Sequence, residues 1–426
     1  MYDWANSAYV TTVAVGILPF YFARAVVGEG GVVIGGTTYS ATTLWGFVIG
    51  LAAALTFLFA PVLGSMADFS AAKKRFLLTF AYTGVLFTLL LYFCQSGDVY
   101  QTLIFFLIAQ IGFIGGNIFY DAFLPQIASD DTMDWVSGKG YAYGYVGGGL
   151  QFALALGLVA GHEQFGLSQE MAARLGIAMA ALWWGVFTLF TARALREAPS
   201  RETIPPQYAN WPRPAAFIAI GLSRTLRTTK RVGRFRHLVL FLVAFLLYND
   251  GIQTVINMAT IYGTEELKFT PTVLMLTLLI IQGIATLGAL LFGRVAMWIG
   301  TKRAVMVTLG LWSCVVVYAY FIETATEYFL LGAVVGIVMG GSQALSRSFY
   351  GSMIPEHASA EFYGFYTVFS KFSSIWGPWL FAFIRQWTGT ARLSIVSLIV
   401  FFLVGLVLLY FVDEERAREA KLAGAF

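Results

Sequence analysis

"FYDAFLPQIAS" occupies residues 119–129, and "FYGSMIPEHAS" occupies residues 349–359. Both read Phe-Tyr, four residues, Pro, two residues, Ala-Ser. Each follows a glycine pair, Gly115-Gly116 and Gly340-Gly341. Each also closes a long apolar run that is the fourth of its half of the chain. A second match starts the halves: "YDW" from Tyr2 and "YND" from Tyr248. Matches in the same order at corresponding positions point to a duplicated bundle of helices.

Composition says what those helices cross. Of 426 residues, 58% are hydrophobic and 12% charged, with mean hydropathy +0.73. A soluble chain is about 45–50% apolar and about 25% charged. A spanning helix needs about 20 apolar residues. Twelve runs qualify: 3–27, 41–67, 75–95, 101–128, 139–161, 171–194, 237–263, 271–298, 303–323, 328–353, 362–386 and 392–412. Irregular backbone cannot face lipid, so the expected fold is all-α. The expectation is an N-terminal six-helix bundle over 1–194, a linker over 195–236, a C-terminal six-helix bundle over 237–412 and a tail over 413–426.

With both termini cytoplasmic, only Arg24, Arg174, Lys268, Arg385 and Arg392 of the 27 basic residues fall on the outer side. Arg347 and Lys371 lie inside spans, and the others face the cytoplasm, as the positive-inside rule requires. The first apolar run has no basic n-region, so no cleavable signal peptide is expected. The linker begins with breakers, Pro199, Pro205, Pro206, Pro212 and Pro214. It then places Ile218, Leu222 and Leu226 at i, i+4, i+8 among Arg224, Arg227, Lys230 and Arg231. That pattern predicts a basic amphipathic helix on an anionic leaflet; an irregular basic linker is the alternative.

Several functions are excluded or disfavoured. Cys94 and Cys314 stand apart, and His162, His237 and His357 are scattered, so neither a disulfide framework nor a metal site is expected. There is no G-x-x-x-x-G-K-[ST] sequence and no nucleophile–base motif. The expectation is a non-enzyme without cofactor or nucleic-acid partner.

Between the second and third spans runs "GSMADFSAAKKR", Gly64 to Arg75, with Asp68, Lys73 and Lys74. The second half offers "GRVAMWIGTKR", which keeps Gly293, Gly300, Lys302 and Arg303 but has Met297 where an acid is expected. The first resembles the G-x-x-x-D-x-x-G-R-K-R loop of the major facilitator superfamily. "YDWANSAYVTTV", "YNDGIQTV" and the "FY…P…AS" ends resemble the unknown major facilitator family, which includes fungal autophagy-related vacuolar amino-acid effluxers. The resemblance covers nearly the whole chain. It implies the major facilitator fold, two pseudo-symmetric six-helix bundles, and amino-acid export. It further implies that the Gly64–Arg75 loop latches the halves and does not touch substrate.

Ionisable residues in mid-membrane cost about 2.5–3.5 kcal/mol each on insertion scales and are functional candidates by default. Asp250 lies mid-span beside Asn249, Gln253 and Asn257, an amide stripe at i, i+4, i+8. It is expected to bind a proton or the amino group of a substrate, or else to be a structural aspartate held by a neighbouring helix. Lys371 is mid-span in the eleventh run, where its ammonium is expected either to hold a carboxylate or to neutralise Asp250. The first run carries Asp3, Asn6, Ser7 and Thr11 on one face, the fourth Asn117 and Asp121, and the fifth Tyr141, Tyr145 and Gln151. Asp121 and Arg347 are expected to pair as a gate, each alternatively pairing within its own half. Such a set suits a small zwitterion moved by a proton-coupled, multi-pass monomer in a bacterial inner membrane, with export as what the resemblance implies. A carrier of a larger polar metabolite, such as a peptide or sugar conjugate, and a non-transporting membrane sensor are the competing readings.

Overall fold

The computed structural model describes residues 1–28, 30–197, 204–231 and 235–422. Pro199, Arg234 and the end of the tail lie outside the described residues, as does the side chain of Arg231. The chain is almost wholly helical. The helices are α1 (Tyr2–Val27), α2 (Ala41–Ser70), α3 (Lys73–Phe93), α4 (Val99–Asp121), α5 (Met133–Ala160) and α6 (Gln169–Ala194). The linker forms α7 (Arg213–Arg231). Then follow α8 (Arg236–Ile261), α9 (Pro271–Ile299), α10 (Thr301–Ala319), α11 (Ala325–Met353), α12 (Ser359–Phe372), α13 (Trp376–Thr388), α14 (Ala391–Tyr410) and α15 (Glu414–Leu422).

Among the described residues, eleven helices are long and apolar enough to cross a membrane. The run expected at 362–386 is not one continuous helix. It is interrupted at Ser373, Ser374 and Ile375, which leaves α12 with 14 residues and α13 with 13. Each piece alone falls short of the roughly 20 residues a span needs. The pair together supplies the eleventh span in chain order, as an interrupted helix, and brings the total to twelve. Among the described residues the one sheet is a hairpin after α1, β1 (Val32–Ile34) antiparallel to β2 (Thr37–Tyr39). Gly35 and Gly36 turn it, both with positive φ, which only glycine adopts without strain.

By contact the chain divides into two compact units. One comprises 1–60, 70–120 and 143–202; the other comprises 61–69, 121–142 and 203–426. In the first, α1 and α4 run antiparallel, and their polar side chains meet in sequence. Tyr120 donates to Asp3 at 2.7 Å, Asn6 to Asn117 at 2.5 Å and Tyr9 to Gln110 at 2.9 Å. Trp184 of α6 is fully buried against Tyr9 and Phe113, filling the space left by Gly84. α1 is wound loosely over Tyr9–Ile17 and Phe22–Val27, around Pro19, whose ring removes one backbone donor.

In the second unit α9 and α11 pack closest. Gly332, Gly336 and Gly340 recur every fourth residue of α11, and their bare backbone lies on Thr277, Ile281 and Ala285 of α9. Gly288 of α9 returns the contact against Ile337. In a membrane this is where small residues gain most, because dispersion contacts replace the missing hydrophobic drive. A Cβ at Gly340 would strike the carbonyl of Ala285, whereas one at Gly283 meets nothing. We expect Gly340→Ala to destabilise by about 1–3 kcal/mol through overpacking. Gly283→Ala should leave thermal unfolding in detergent unchanged or slightly raised. Equal effects at the two sites would count against the close α9–α11 contact.

Candidate functional site

Asp250 lies on α8 and is 0% exposed. Its carboxylate accepts the backbone N–H of Trp376 at 3.0 Å and of Gly377 at 2.9 Å, with Thr254 at 3.5 Å. The side chain therefore caps the N-terminus of α13, where free amides and the helix dipole favour negative charge. Asn249 next to it donates to Ser373 within the interruption. A Cβ on Gly377 would collide with Asp250 and Thr254, so the approach requires glycine there. The expected stripe is split by burial. Asn249 is buried, Gln253 half-buried and Asn257 exposed. Lys371 is half-buried, two residues before the break.

Arg347 of α11 is 4% exposed and fully engaged. Its Nη1 meets Asp121 Oδ1 at 3.0 Å, and its Nε and Nη2 donate to the Oγ and backbone oxygen of Ser137, each at 3.0 Å. The guanidinium stands 4.3 Å over the ring of Tyr141, a cation–π contact. Ser137 in turn donates to the carbonyl of Ala344 at 2.7 Å. Asp121 and Arg347 are thus brought together as a hydrogen-bonded ion pair. Ser137 escaped the sequence reading, although it precedes Tyr141 by four residues on the same helical face. Asp134 escaped too. It accepts from Thr301 at 2.6 Å and Ser348 at 2.5 Å, joining α5, α10 and α11.

The expected loop motif resolves into caps. Asp68 accepts the backbone N–H of Ala360 at 3.2 Å and Glu361 at 2.8 Å, so it caps α12 from another helix. Gly64 lies on the backbone of Ala360 and Glu361 with no room for a Cβ. Gly293 packs on Asp134 and Trp135 at the start of α5, less tightly than Gly64. Lys302 donates its Nζ to the carbonyls of Tyr410 at 2.7 Å and Val412 at 2.6 Å, satisfying the end of α14. Lys73 is buried, and its backbone N–H donates to Glu197 at 2.5 Å. Arg75 and Arg303 are exposed. In the first unit, Asp3, Asn6 and Asn117 are engaged as described; Thr11 donates to the Gly148 carbonyl at 3.1 Å, and Ser7 lies against Gly144 and Gly148. Tyr145 is half-buried on the same helix as those glycines.

Truncating Arg347 to Met would leave Asp121 without its cation in a site largely shut off from water. Breaking a buried pair costs about 3–5 kcal/mol. We expect Arg347→Met to lower thermal stability by that order and Arg347→Met with Asp121→Leu to recover part of the loss. No recovery in the double variant would indicate that Ser137 and Tyr141, rather than Asp121, hold the guanidinium.

Comparison with known proteins agrees with this architecture. A family model described as "Vacuole effluxer Atg22 like" matches residues 1–422. The chain is 34% identical over 421 residues to YxiO of Bacillus subtilis (strain 168), an uncharacterized MFS-type transporter, covering 98% of this chain and 95% of that one. It is 29% identical to autophagy-related protein 22-1 of Neosartorya fischeri, covering 68% of this chain but only 49% of the fungal protein, about half its length. The E. coli fucose:proton symporter FucP superposes with a TM-score of 0.69 at 10% identity, covering 97% of this chain and 96% of that one. At that identity the likeness speaks for the fold alone. This integral, multi-pass membrane protein is a major facilitator transporter, not an enzyme, and belongs to the Atg22-like vacuole effluxer family.

Proposed function

We propose that the chain is a proton-coupled secondary transporter that exports amino acids or similar small zwitterionic solutes by alternating access. In this reading it works as a monomer in a bacterial inner membrane, with both termini cytoplasmic. The supporting observation is the interrupted helix α12–α13, capped by the fully buried Asp250 and preceded by Lys371. Broken helices at membrane depth occur where transporters bind substrates and coupling ions, and their half-helix N-termini hold anionic groups.

The chemistry follows from competition for two backbone amides. As a carboxylate, Asp250 holds the N–H groups of Trp376 and Gly377. Once protonated it is a weaker acceptor, and those amides together with the Lys371 ammonium become available to a substrate carboxylate. Proton and substrate are thereby coupled at one place. Gln253 and Asn257, on the same face of α8, offer amides to the remaining polar groups. The Asp121–Arg347 pair serves as a gate that closes with the charges together and opens as they part.

The test is flux in proteoliposomes with the purified full-length chain. A pH gradient should drive accumulation of an amino acid, and the amino acid should in turn move protons. Asp250→Asn should abolish the dependence on the gradient and retain counterflow, because an amide cannot exchange a proton but still accepts a hydrogen bond. Gradient-driven uptake that survives in Asp250→Asn would remove the proton role. Absence of flux with any amino acid, alongside flux of a peptide or sugar conjugate, would move the substrate class.

A further inference from the structure

The linker helix α7 has two faces. Ala216 and Ile220 are buried, and Gly221 lies on Val62 and Met66 near the end of α2. Phe217 packs edge-on against Phe69 at 5.9 Å, and the Arg224 guanidinium stands 5.7 Å from the same ring. These residues fix α7 across the last two turns of a membrane-spanning helix. Pro214, in its first turn, starts it there without losing a needed hydrogen bond.

At about 100° per residue, Ile218, Leu222 and Leu226 fall on a different side of α7 from that contact. All three are open, at 54%, 49% and 52% exposure. Lys230 is exposed on the flank of this stripe, four residues on from Leu226; Arg227, also exposed, lies two turns beyond Ile220 on the side of the contact, and Trp211, 50% exposed, stands just ahead of the helix. Three large aliphatic side chains in a row do not face water without a partner. Two features identify that partner. The stripe belongs to a helix held at the end of a span, where the apolar core of a bilayer gives way to headgroups. Its flank is basic, complementary to anionic lipid, and tryptophan is the residue that favours that boundary.

We propose that α7 is an interfacial anchor: Ile218, Leu222 and Leu226 enter the acyl boundary while Arg227 and Lys230 engage anionic headgroups. The anchor does not depend on what the transporter carries. It makes the linker a fixed element of the membrane surface rather than a solvated connection.

The experiment places a bimane label at L222C in the full-length chain with Cys314→Ser, reconstituted in nanodiscs of phosphatidylcholine with or without phosphatidylglycerol. The same label at N210C, an exposed turn position, is the reference. Seating predicts strong quenching by doxyl-labelled lipid and several-fold weaker quenching by iodide than at the reference. Adding phosphatidylglycerol should deepen both effects, and Arg227→Glu with Lys230→Glu should cancel that gain. Iodide access equal to the reference overturns the anchor. Protection that ignores phosphatidylglycerol overturns the anionic contact. Protection from iodide without doxyl quenching means that protein covers the stripe, which also overturns the proposal.

Discussion

A carboxylate or a free backbone amide inside a bilayer has no water to bond to, and each left unsatisfied costs several kcal/mol. The fold is arranged around that constraint, because interrupting a membrane helix creates both problems at once. The break between α12 and α13 frees amides, and Asp250 brings a charge; each satisfies the other. Without such a partner neither the break nor the aspartate could persist at that depth. The same exchange recurs at two other helix ends. Asp68 caps α12, and Lys302 takes the last carbonyls of α14.

The duplication is visible in how these devices are placed. Gly64 lies on the start of α12, and Gly293 lies on the start of α5, the eleventh and fifth spans. At Gly64 two backbones touch where a Cβ would strike the Ala360 carbonyl; at Gly293 the approach to Asp134 and Trp135 is close but looser. The acid is distributed differently. In the first loop Asp68 stands on the loop helix itself. In the second, Met297 replaces it, and Asp134 of α5 provides the carboxylate for Thr301 and Ser348 instead. Two copies of one motif have thus reached polar satisfaction by different residues. Arg347 follows the same logic: five donors in a fixed fork need several acceptors, and Asp121 and the two oxygens of Ser137 supply them, with the Tyr141 face beneath.

Much of this was legible beforehand because it depends on local chemistry. Apolar runs of spanning length, glycine pairs and the two "FY…P…AS" ends are properties of the chain in one dimension, and they set the number and order of helices. The basic linker read as a helix because its period of 3.6 residues is itself local. Asp121, Arg347, Asp250 and Lys371 stood out because charge in an apolar run is conspicuous at any fold. Ser137 and Asp134 did not, since a serine or an acid near a helix start has many ordinary uses.

The sequence by itself determined a twelve-span helical membrane protein of duplicated plan and the ionisable residues it must accommodate, because hydropathy and spacing act through solvent and helix geometry alone. Only the tertiary structure decided that the eleventh span is broken, that Asp250 turns to backbone amides rather than to Lys371, and that Arg347 gathers Asp121, Ser137 and Tyr141. Those outcomes depend on which groups arrive within hydrogen-bonding reach once the helices pack, and residues more than a hundred positions apart carry no local sign of that meeting.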